Sequence, residues 1–491
     1  MRIMTLAACA MLAAARANSG PAPWIEVKSA HFTVIANSGD SAGRRVAWQF
    51  EQIRSGLSSL WPWAKVDGGR PFLVFAAKDE ATLKALGPEF WEGKRYRPTS
   101  FWTTGRDRHF VALRTDIQEP DGVSVNPYQT AYWSYAHAIF TRTFPRRLPE
   151  WYARGIAGVM SNTFVRGKQL DVGRLMQGNI NVMRERAPIP LAEFLAADRR
   201  SRWLVEETGL QLFDAQAWAL VHYLMFGEEG RNAARVDQFN RLLYEGTAED
   251  VALREAFGDM TPYYEGMRSY VTRRVFGYAR VPVSLDLRAE GFTSRVLSPA
   301  EAAVLRGKLH VAMGRPVEAR ALAAEAAKAD PTLPGPWEIE AALLDTGDHR
   351  EEARAAYTKA VEAGSESAHA YYRLAQLEWA SHADRALQEK LAARLEQARQ
   401  LDPAYADALS FLAEVRSSLG QLEDALNLAT QAVQAEPAVT YHRLVLARIL
   451  WSLQRPDDAV RAAESAMKTA DSESEKQQVQ EFLAFAARSR P

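Results

Sequence analysis

From Ser298 onward the chain repeats itself with a 34-residue period, and this restricts its fold more than any other feature. Ala319, Ala353, Ala425 and Ala459 fall in phase. Gly307, Ala341, Ala375, Ala413 and Ala447 hold one small position in successive units, and Ala326, Ala360, Ala398, Ala432 and Ala466 hold another. Asp330-Pro331, Asp402-Pro403 and Glu436-Pro437 close three of the units, since proline cannot continue a helix. Small residues at fixed places let two antiparallel helices approach closely. The region is alanine-rich with almost no strand signal, so each unit reads as a helix pair that must stack on its neighbours to bury its apolar face.

The pattern resembles the tetratricopeptide repeat. The resemblance implies about five repeats over residues 300–470, and the final helix at 474–488 is suited to cap the stack. The third unit carries extra residues near 381–387 and is expected to have longer helices. Stacked helix pairs form a concave face suited to an extended peptide or a partner helix, so a protein or peptide partner is expected there.

The first half has a different texture. Ile25 and Val27, then Phe32 and Val34, alternate as in strands, and Phe72 to Ala77 form an apolar run read as a buried strand. Val46, Phe50, Ile53, Leu57 and Leu60 share one helical face, and a further helix begins near Asp79. Residues 100–115 read as a hairpin around Gly105-Arg106-Asp107. Helices follow at 213–227 and 232–246, from Thr247, and from Thr261-Pro262, with a less regular segment at 164–206. The order is that of a mixed sheet with helices packed on it.

Sixty basic and sixty acidic side chains cancel, so nothing global points to nucleic acid. Arg2, an apolar run from Ile3 to Ala15, and Ala15-Arg16-Ala17 fit a signal peptide over residues 1–17. A periplasmic or secreted protein is expected, with no transmembrane span in the mature chain. Cys9 is the sole cysteine; Leu6-Ala7-Ala8-Cys9 makes a lipid anchor the minor alternative. A chain cleaved after Ala17 keeps no cysteine for a disulfide or a thiolate ligand.

Residues 126–163 read as two consecutive helices, the first capped by Asn126 with Pro127 behind it, the second opened by Pro149. WIEVKSAHFTVIAN, NPYQTAYWSYAHAIF, FPRRLPEWYARGIAGVMSNT and FDAQAWALVHYL, in that order ahead of the repeats, resemble an exported bacterial family. Its members join a peptidase-MA-like (gluzincin-type) domain to tetratricopeptide repeats. The resemblance implies an α+β zincin-like domain over residues 24–276, a linker at 277–297, and an all-α repeat solenoid at 298–490. It also implies H-E-x-x-H on the first helix and an E-G-x-A-E-like segment on the second. Two histidines one turn apart share a zinc ion, the glutamate between activates water, and a second-helix glutamate is the third ligand.

At those positions this chain carries Trp133, Ser134 and His137 on the first helix and Arg154 and Gly158 on the second. An indole cannot ligate zinc, a serine cannot take the proton as a carboxylate does, and one neutral imidazole cannot hold the ion alone. A guanidinium about 4 Å from a divalent cation costs on the order of 8 kcal/mol at an effective dielectric near 20. No catalytic residue, no metal and no cofactor is therefore expected, and the domain reads as a pseudo-peptidase. Ser134 and His137 stand three apart with no readable acid to orient them, which argues against a serine hydrolase.

Two further readings stay open. In one, Glu150, Glu193, Glu206 or Glu207 and His222 converge on His137 as relocated ligands of an active zinc peptidase. In the other, the repeats carry an assembly function and the first domain is structural. Arg142, Arg146, Arg147 and Arg154 crowd the turn between the two helices, either as a solvated charged face or as a surface for a peptide carboxylate or other anion. His222, on an apolar helical face, reads as a satisfied core histidine.

Overall fold

The computed structural model describes residues 22–92, 97–117, 125–283, 289–379 and 384–489; the expected signal peptide and Cys9 lie outside the described residues. Nine strands are present among them: β1 (Ile25–Lys28), β2 (Thr33–Ala36), β3 (Phe72–Ala77), β4 (Ser100–Thr104), β5 (His109–Arg114), β6 (Phe164–Arg166), β7 (Gln169–Val172), β8 (Ala279–Pro282) and β9 (Thr293–Val296). Six form a mixed sheet in the order β4-β5-β3-β2-β1-β9, and β6-β7-β8 form a smaller one. The central pairs β2–β3 and β3–β5 are parallel, whereas the flanking pairs are antiparallel. The expected linker thus supplies strands to both sheets: 279–282 and 293–296.

Strand β3 is buried on both faces, as its unbroken apolar run requires. Phe72, Val74 and Ala76 join one core. Leu73, Phe75 and Ala77 join another on the opposite face. Helix α1 (Asp40–Leu60) packs in the first core, and α2 (Glu80–Leu86) packs in the second, across the sheet from it. The first core is completed by α3 (Gln129–Thr143), α4 (Glu150–Ser161), α5 (Gln177–Glu185), α6 (Leu191–Leu195), α7 (Arg202–Val205), α8 (Glu207–Phe226), α9 (Ala233–Tyr244), α10 (Glu249–Ala256) and α11 (Thr261–Tyr270). Val46, Phe50, Ile53 and Leu57 of α1 are buried, as their spacing predicts. Asp79 caps α2 by accepting from the Thr82 backbone N–H at 2.8 Å.

Asn126 does not cap α3, which begins two residues after Pro127 with Tyr128 before it. Asn126 Oδ1 accepts from the Tyr128 N–H at 2.8 Å, and its backbone N–H donates to Asn162 Oδ1 at 2.8 Å. Its side-chain Nδ2 also donates to the Thr163 carbonyl at 2.5 Å, so Asn126 ties the start of α3 to the end of α4, a tertiary role that outweighs the local capping preference. The segment 164–206, irregular in sequence, folds as β6, β7 and three short helices.

Five helix pairs and a final helix make the C-terminal stack: α12 (Pro299–Ala312) with α13 (Pro316–Ala329), α14 (Gly335–Leu344) with α15 (Arg350–Glu362), α16 (Ala368–Glu378) with α17 (Arg385–Leu401), α18 (Ala406–Ser418) with α19 (Leu422–Ala435), α20 (Thr440–Ser452) with α21 (Pro456–Met467), and α22 (Glu473–Arg488). The in-phase alanines are all fully buried. At Gly307 even a Cβ would lie 2.6 Å from Ile339 Cδ1, which is why the first unit needs glycine there. In the third unit only one of the two helices is long: α17 has 17 residues, the most in the stack, whereas α16 has 11.

The first domain lies along the stack from the first unit to the last. Leu297, Ala302 and Leu309 of the α12 region pack on Phe75 and Phe110 of the sheet. Thr103 Oγ1 donates to the Ala312 carbonyl at 3.2 Å, Lys65 Nζ to the Gln434 carbonyl at 2.6 Å, and Arg147 pairs with Asp471 at 3.0 Å. Among the described residues no helix is long and apolar enough to cross a membrane.

Candidate functional site

Helices α3 and α4 lie side by side, and α4 is seated on α8 through its glycines. A Cβ at Gly155 would fall 2.5 Å from the Ala217 carbonyl oxygen, and one at Gly158 would fall 3.3 Å from Trp218 Cβ. The Gly158 position therefore has an indole against it, and a glutamate there would have to displace Trp218. This close seating sets the height of Arg154 above α3.

Trp133 and His137, one turn apart on α3, stack with ring centroids 4.6 Å apart and planes inclined by 13°. Trp102 of β4 also packs against Trp133, with ring centroids 5.9 Å apart. The Arg154 guanidinium sits 5.2 Å from the centre of the Trp133 ring, a cation–π arrangement. Its Nε and Nη2 donate to the two carboxylate oxygens of Asp214 on α8, at 2.5 and 2.9 Å. The result is a layered group, Trp102, Trp133 and His137 with Arg154 clamped by Asp214 above. Burial, together with the positive charges of Arg154 and Arg199 and the nearby His109, pushes His137 down to about 3. Its imidazole is neutral at neutral pH.

Ser134 points away from this group. It is 2 % exposed, and its hydroxyl donates to the Ala131 carbonyl at 2.9 Å in the preceding turn. The five expected positions thus split: 133, 137 and 154 come together, while 134 and 158 face packed interior.

The arginines of the turn do not converge on one point. Arg142 donates to the Lys65 carbonyl at 2.5 Å, to the Asp67 carbonyl at 3.2 Å and to the Gly68 carbonyl, holding that loop. Arg147 reaches Asp471 and Arg154 reaches Asp214. Arg146 keeps its buried Nε without a partner among the described residues.

The carboxylates considered as relocated ligands have other company. Glu150 pairs with Arg199 at 3.2 Å and Glu193 with Arg202 at 3.3 Å, while Glu206 and Glu207 are exposed. His222 is fully buried between the Gly173 carbonyl, 2.7 Å from Nε2, and the Tyr270 hydroxyl, 3.0 Å from Nδ1. Among the described residues no three His, Cys, Asp or Glu side chains gather as a metal site.

A second region was not legible in the sequence. Between the β4–β5 hairpin and the first helices of successive units lies a cavity of about 1000 Å³. Arg106, at the hairpin tip, donates to Asp345 Oδ2 at 2.6 Å and to the Asp345 carbonyl at 2.7 Å. These partners are 239 residues apart, a separation that no local pattern marks.

A family model described as tetratricopeptide repeat matches residues 413–475. No curated protein matches the chain. Among solved structures, part of the chain is similar to "YrrB: a TPR protein with an unusual peptide-binding site", at 14 % identity over 37 % of this chain and 92 % of that one, with a TM-score of 0.31. The pilF protein of Pseudomonas aeruginosa is similar at 16 % identity over 39 % of this chain and 88 % of its own, TM-score 0.30. PilW, described as a widely conserved type IV pilus biogenesis factor, gives 15 % identity over 39 % and 88 %, TM-score 0.32. The C-terminal region is a stack of tetratricopeptide repeats, a scaffold of the kind that binds proteins or peptides.

Proposed function

We propose that this chain is a non-catalytic interaction scaffold: a peptidase-MA-like, gluzincin-type domain with a degenerate zinc motif, fused to tetratricopeptide repeats that bind a protein or peptide partner outside the cytoplasm. One observation carries the reading. Where a zinc peptidase needs ligands, the indole of Trp133 stacks on the His137 ring and makes a cation–π contact with Arg154, and Arg154 is tied to Asp214. Those side chains are committed to packing and to each other, and a cation brought beside His137 would meet Arg154.

The experiment is metal analysis of the purified full chain together with a peptide-hydrolysis assay, with and without added zinc. The expected result is no stoichiometric zinc and no metal-dependent cleavage. One tightly held zinc per chain with chelator-sensitive hydrolysis overturns the proposal and returns the relocated-ligand reading. Fractionation of expressing cells tests location: recovery of unprocessed protein in the cytoplasm would remove that part of it.

The docking of the first domain along the repeats favours a related reading, in which the repeats carry the partner and the domain serves as a structural wall of their groove.

A further inference from the structure

We propose that the cavity between the hairpin and the repeats is a composite binding site for a polypeptide segment presenting an arginine side chain, and that Arg106 fills the arginine position in cis until the partner replaces it. This rests on the reading that the repeats bind a protein partner, and it names what that partner must show.

The arginine position is defined by what Arg106 meets. Its two terminal nitrogens bond the side chain and the backbone carbonyl of Asp345, the residue that ends α14. A helix C-terminus carries partial negative charge, so carboxylate, carbonyl and dipole all favour a cation at this spot. The planar fork of a guanidinium matches both acceptors at once, which an ammonium does not.

The position survives the departure of Arg106. Arg373 binds Asp345 from the other side, Nε to Oδ2 at 2.7 Å and Nη2 to Oδ1 at 2.5 Å. Asp345 is therefore a paired carboxylate even when the hairpin side chain swings out, and no buried charge is stranded. Arg106 itself is 46 % exposed on its side chain, against 6 % for Asp345. A half-solvated arginine holds its partner weakly and reaches water by side-chain rotation alone.

The hairpin leaves the groove partly empty. Around the cavity of about 1000 Å³, the Tyr357 hydroxyl and His369 Nε2 are buried and have no hydrogen-bond partner among the described residues. Tyr357 is 1 % exposed, so its hydroxyl is lost to bulk water as well. Unpaired buried polar groups of this kind cost free energy, and a ligand pairs with them only when the side chains covering them turn. His369 Nδ1 lies 2.9 Å from the Tyr405 hydroxyl, which fixes the ring.

The ion pairs select the sign of the ligand. Four basic and four acidic side chains line the cavity. Lys308 pairs with Glu338, and Arg373 with Asp345. Asp107 pairs with Arg108 beside the lining, so with Arg106 turned to solvent a partner arginine takes only the cation place that Arg106 leaves at Asp345. If Arg106 holds the position nine-tenths of the time, it weakens a competing arginine by roughly tenfold.

The test uses the full chain and a fluorescent cyclic peptide with the sequence of residues 103–110, read by anisotropy at low and high salt. The peptide is expected to bind Arg106→Ala about tenfold more tightly than wild type. Adding Asp345→Asn to that variant is expected to weaken binding at least tenfold, as is replacing the peptide's first arginine by glutamine. Ala342→Trp, which fills the cavity without touching an ion pair, is expected to abolish binding and serves if the Asp345 variant misfolds by circular dichroism. Equal affinity for wild type and Arg106→Ala, or binding that persists with the cavity filled, overturns the proposal. Failure of the peptide on every variant overturns the arginine site alone. The scaffold reading falls only to zinc-dependent hydrolysis, which this experiment does not read.

Discussion

Gly155 is the point at which a single methyl group tests how the first domain is assembled. An added Cβ would stand 2.5 Å from the Ala217 carbonyl oxygen and 2.5 Å from Val221 Cγ2. The valine can turn, but the carbonyl belongs to the backbone of α8 and moves only with the helix. Relief therefore demands that α4 and α8 part by roughly 1 Å, with overpacking costs of about 1–3 kcal/mol. Alanine regains about 1 kcal/mol of helix propensity over glycine, which offsets part of this. We expect Gly155→Ala to destabilise the domain by about 2 kcal/mol, near the upper part of that range before the offset. Gly178 in α5 is the control, because nothing lies within 4 Å of its added Cβ. Gly178→Ala should stabilise by about 0.5–1 kcal/mol. Urea unfolding followed by tryptophan fluorescence reads both, since Trp151 and Trp218 are buried in this core. If the two substitutions shift the midpoint in the same direction, the close approach of α4 to α8 is refuted, and with it the seating of Arg154 over Trp133.

Three further outcomes follow from the ion pairs and buried rings. Arg154→Met removes the foremost charge acting on His137, so the ring should titrate above its value of about 3, read by NMR of the imidazole protons; an unmoved titration would mean burial alone sets it. His222 is held down at about 4 by burial. An unfolded histidine protonates near 6.5, so the unfolded state binds more protons as pH falls and stability drops between pH 6.5 and 4. His222 contributes on the order of 3 kcal/mol to that drop, and His222→Phe should remove this share in urea titrations across the range, while His109, His137, His310 and His369, also held low by burial, keep theirs. Arg373→Ala should destabilise the stack clearly more than Arg106→Ala, which should cost less than about 1 kcal/mol; equal thermal shifts would contradict the unequal sharing of Asp345.

What the sequence revealed followed how local each signal was. Small residues recurring every 34 positions mark helix contacts directly, and their complete burial repeats the pattern in space. The apolar run 72–77 was legible because a strand covered on both faces has no polar alternation to confuse it. Strand β9 is weaker in the sequence for the opposite reason: all four of its side chains are exposed, and it is placed by backbone pairing with β1 and by polar contacts of Arg295 with Glu26 and Ser294 with Arg44. The role of Asn126 was misjudged because its partner, Asn162, comes from the next helix. In the same way, the identities of Trp133 and Arg154 showed what the site had lost, but only the fold brings Asp214, 60 residues away, to the guanidinium. Arg106 and Asp345 show the limit more sharply, since neither stands out among its charged neighbours until the hairpin meets α14.

The composition changes at residue 298, yet the mechanical boundary lies elsewhere, and cutting the chain distinguishes the two. Strand β9 ends at Val296, Leu297 is buried, and α12 begins at Pro299 behind a capping box of Ser298 and Glu301. Helix α12 then covers the face of the sheet that carries Leu73, Phe75, Phe101 and Phe110. Ending the chain at 297 would leave part of that face to water, with α2, Trp24, Phe90 and Trp91 still across the rest. At about 1.5–3 kcal/mol for each large side chain exposed, two or three uncovered residues remove several kcal/mol. A domain holds only about 5–15 kcal/mol in all. We therefore expect a fragment of residues 22–297 to be insoluble or to bind the dye ANS strongly. A fragment of residues 22–330, which keeps α12 and α13, should be soluble and unfold cooperatively. A monomeric 22–297 fragment with native stability would show that α12 is a removable neighbour. The expected result instead makes the first repeat part of the first domain's core, so that the groove behind Arg106 has one fixed wall and its width is set by the later units.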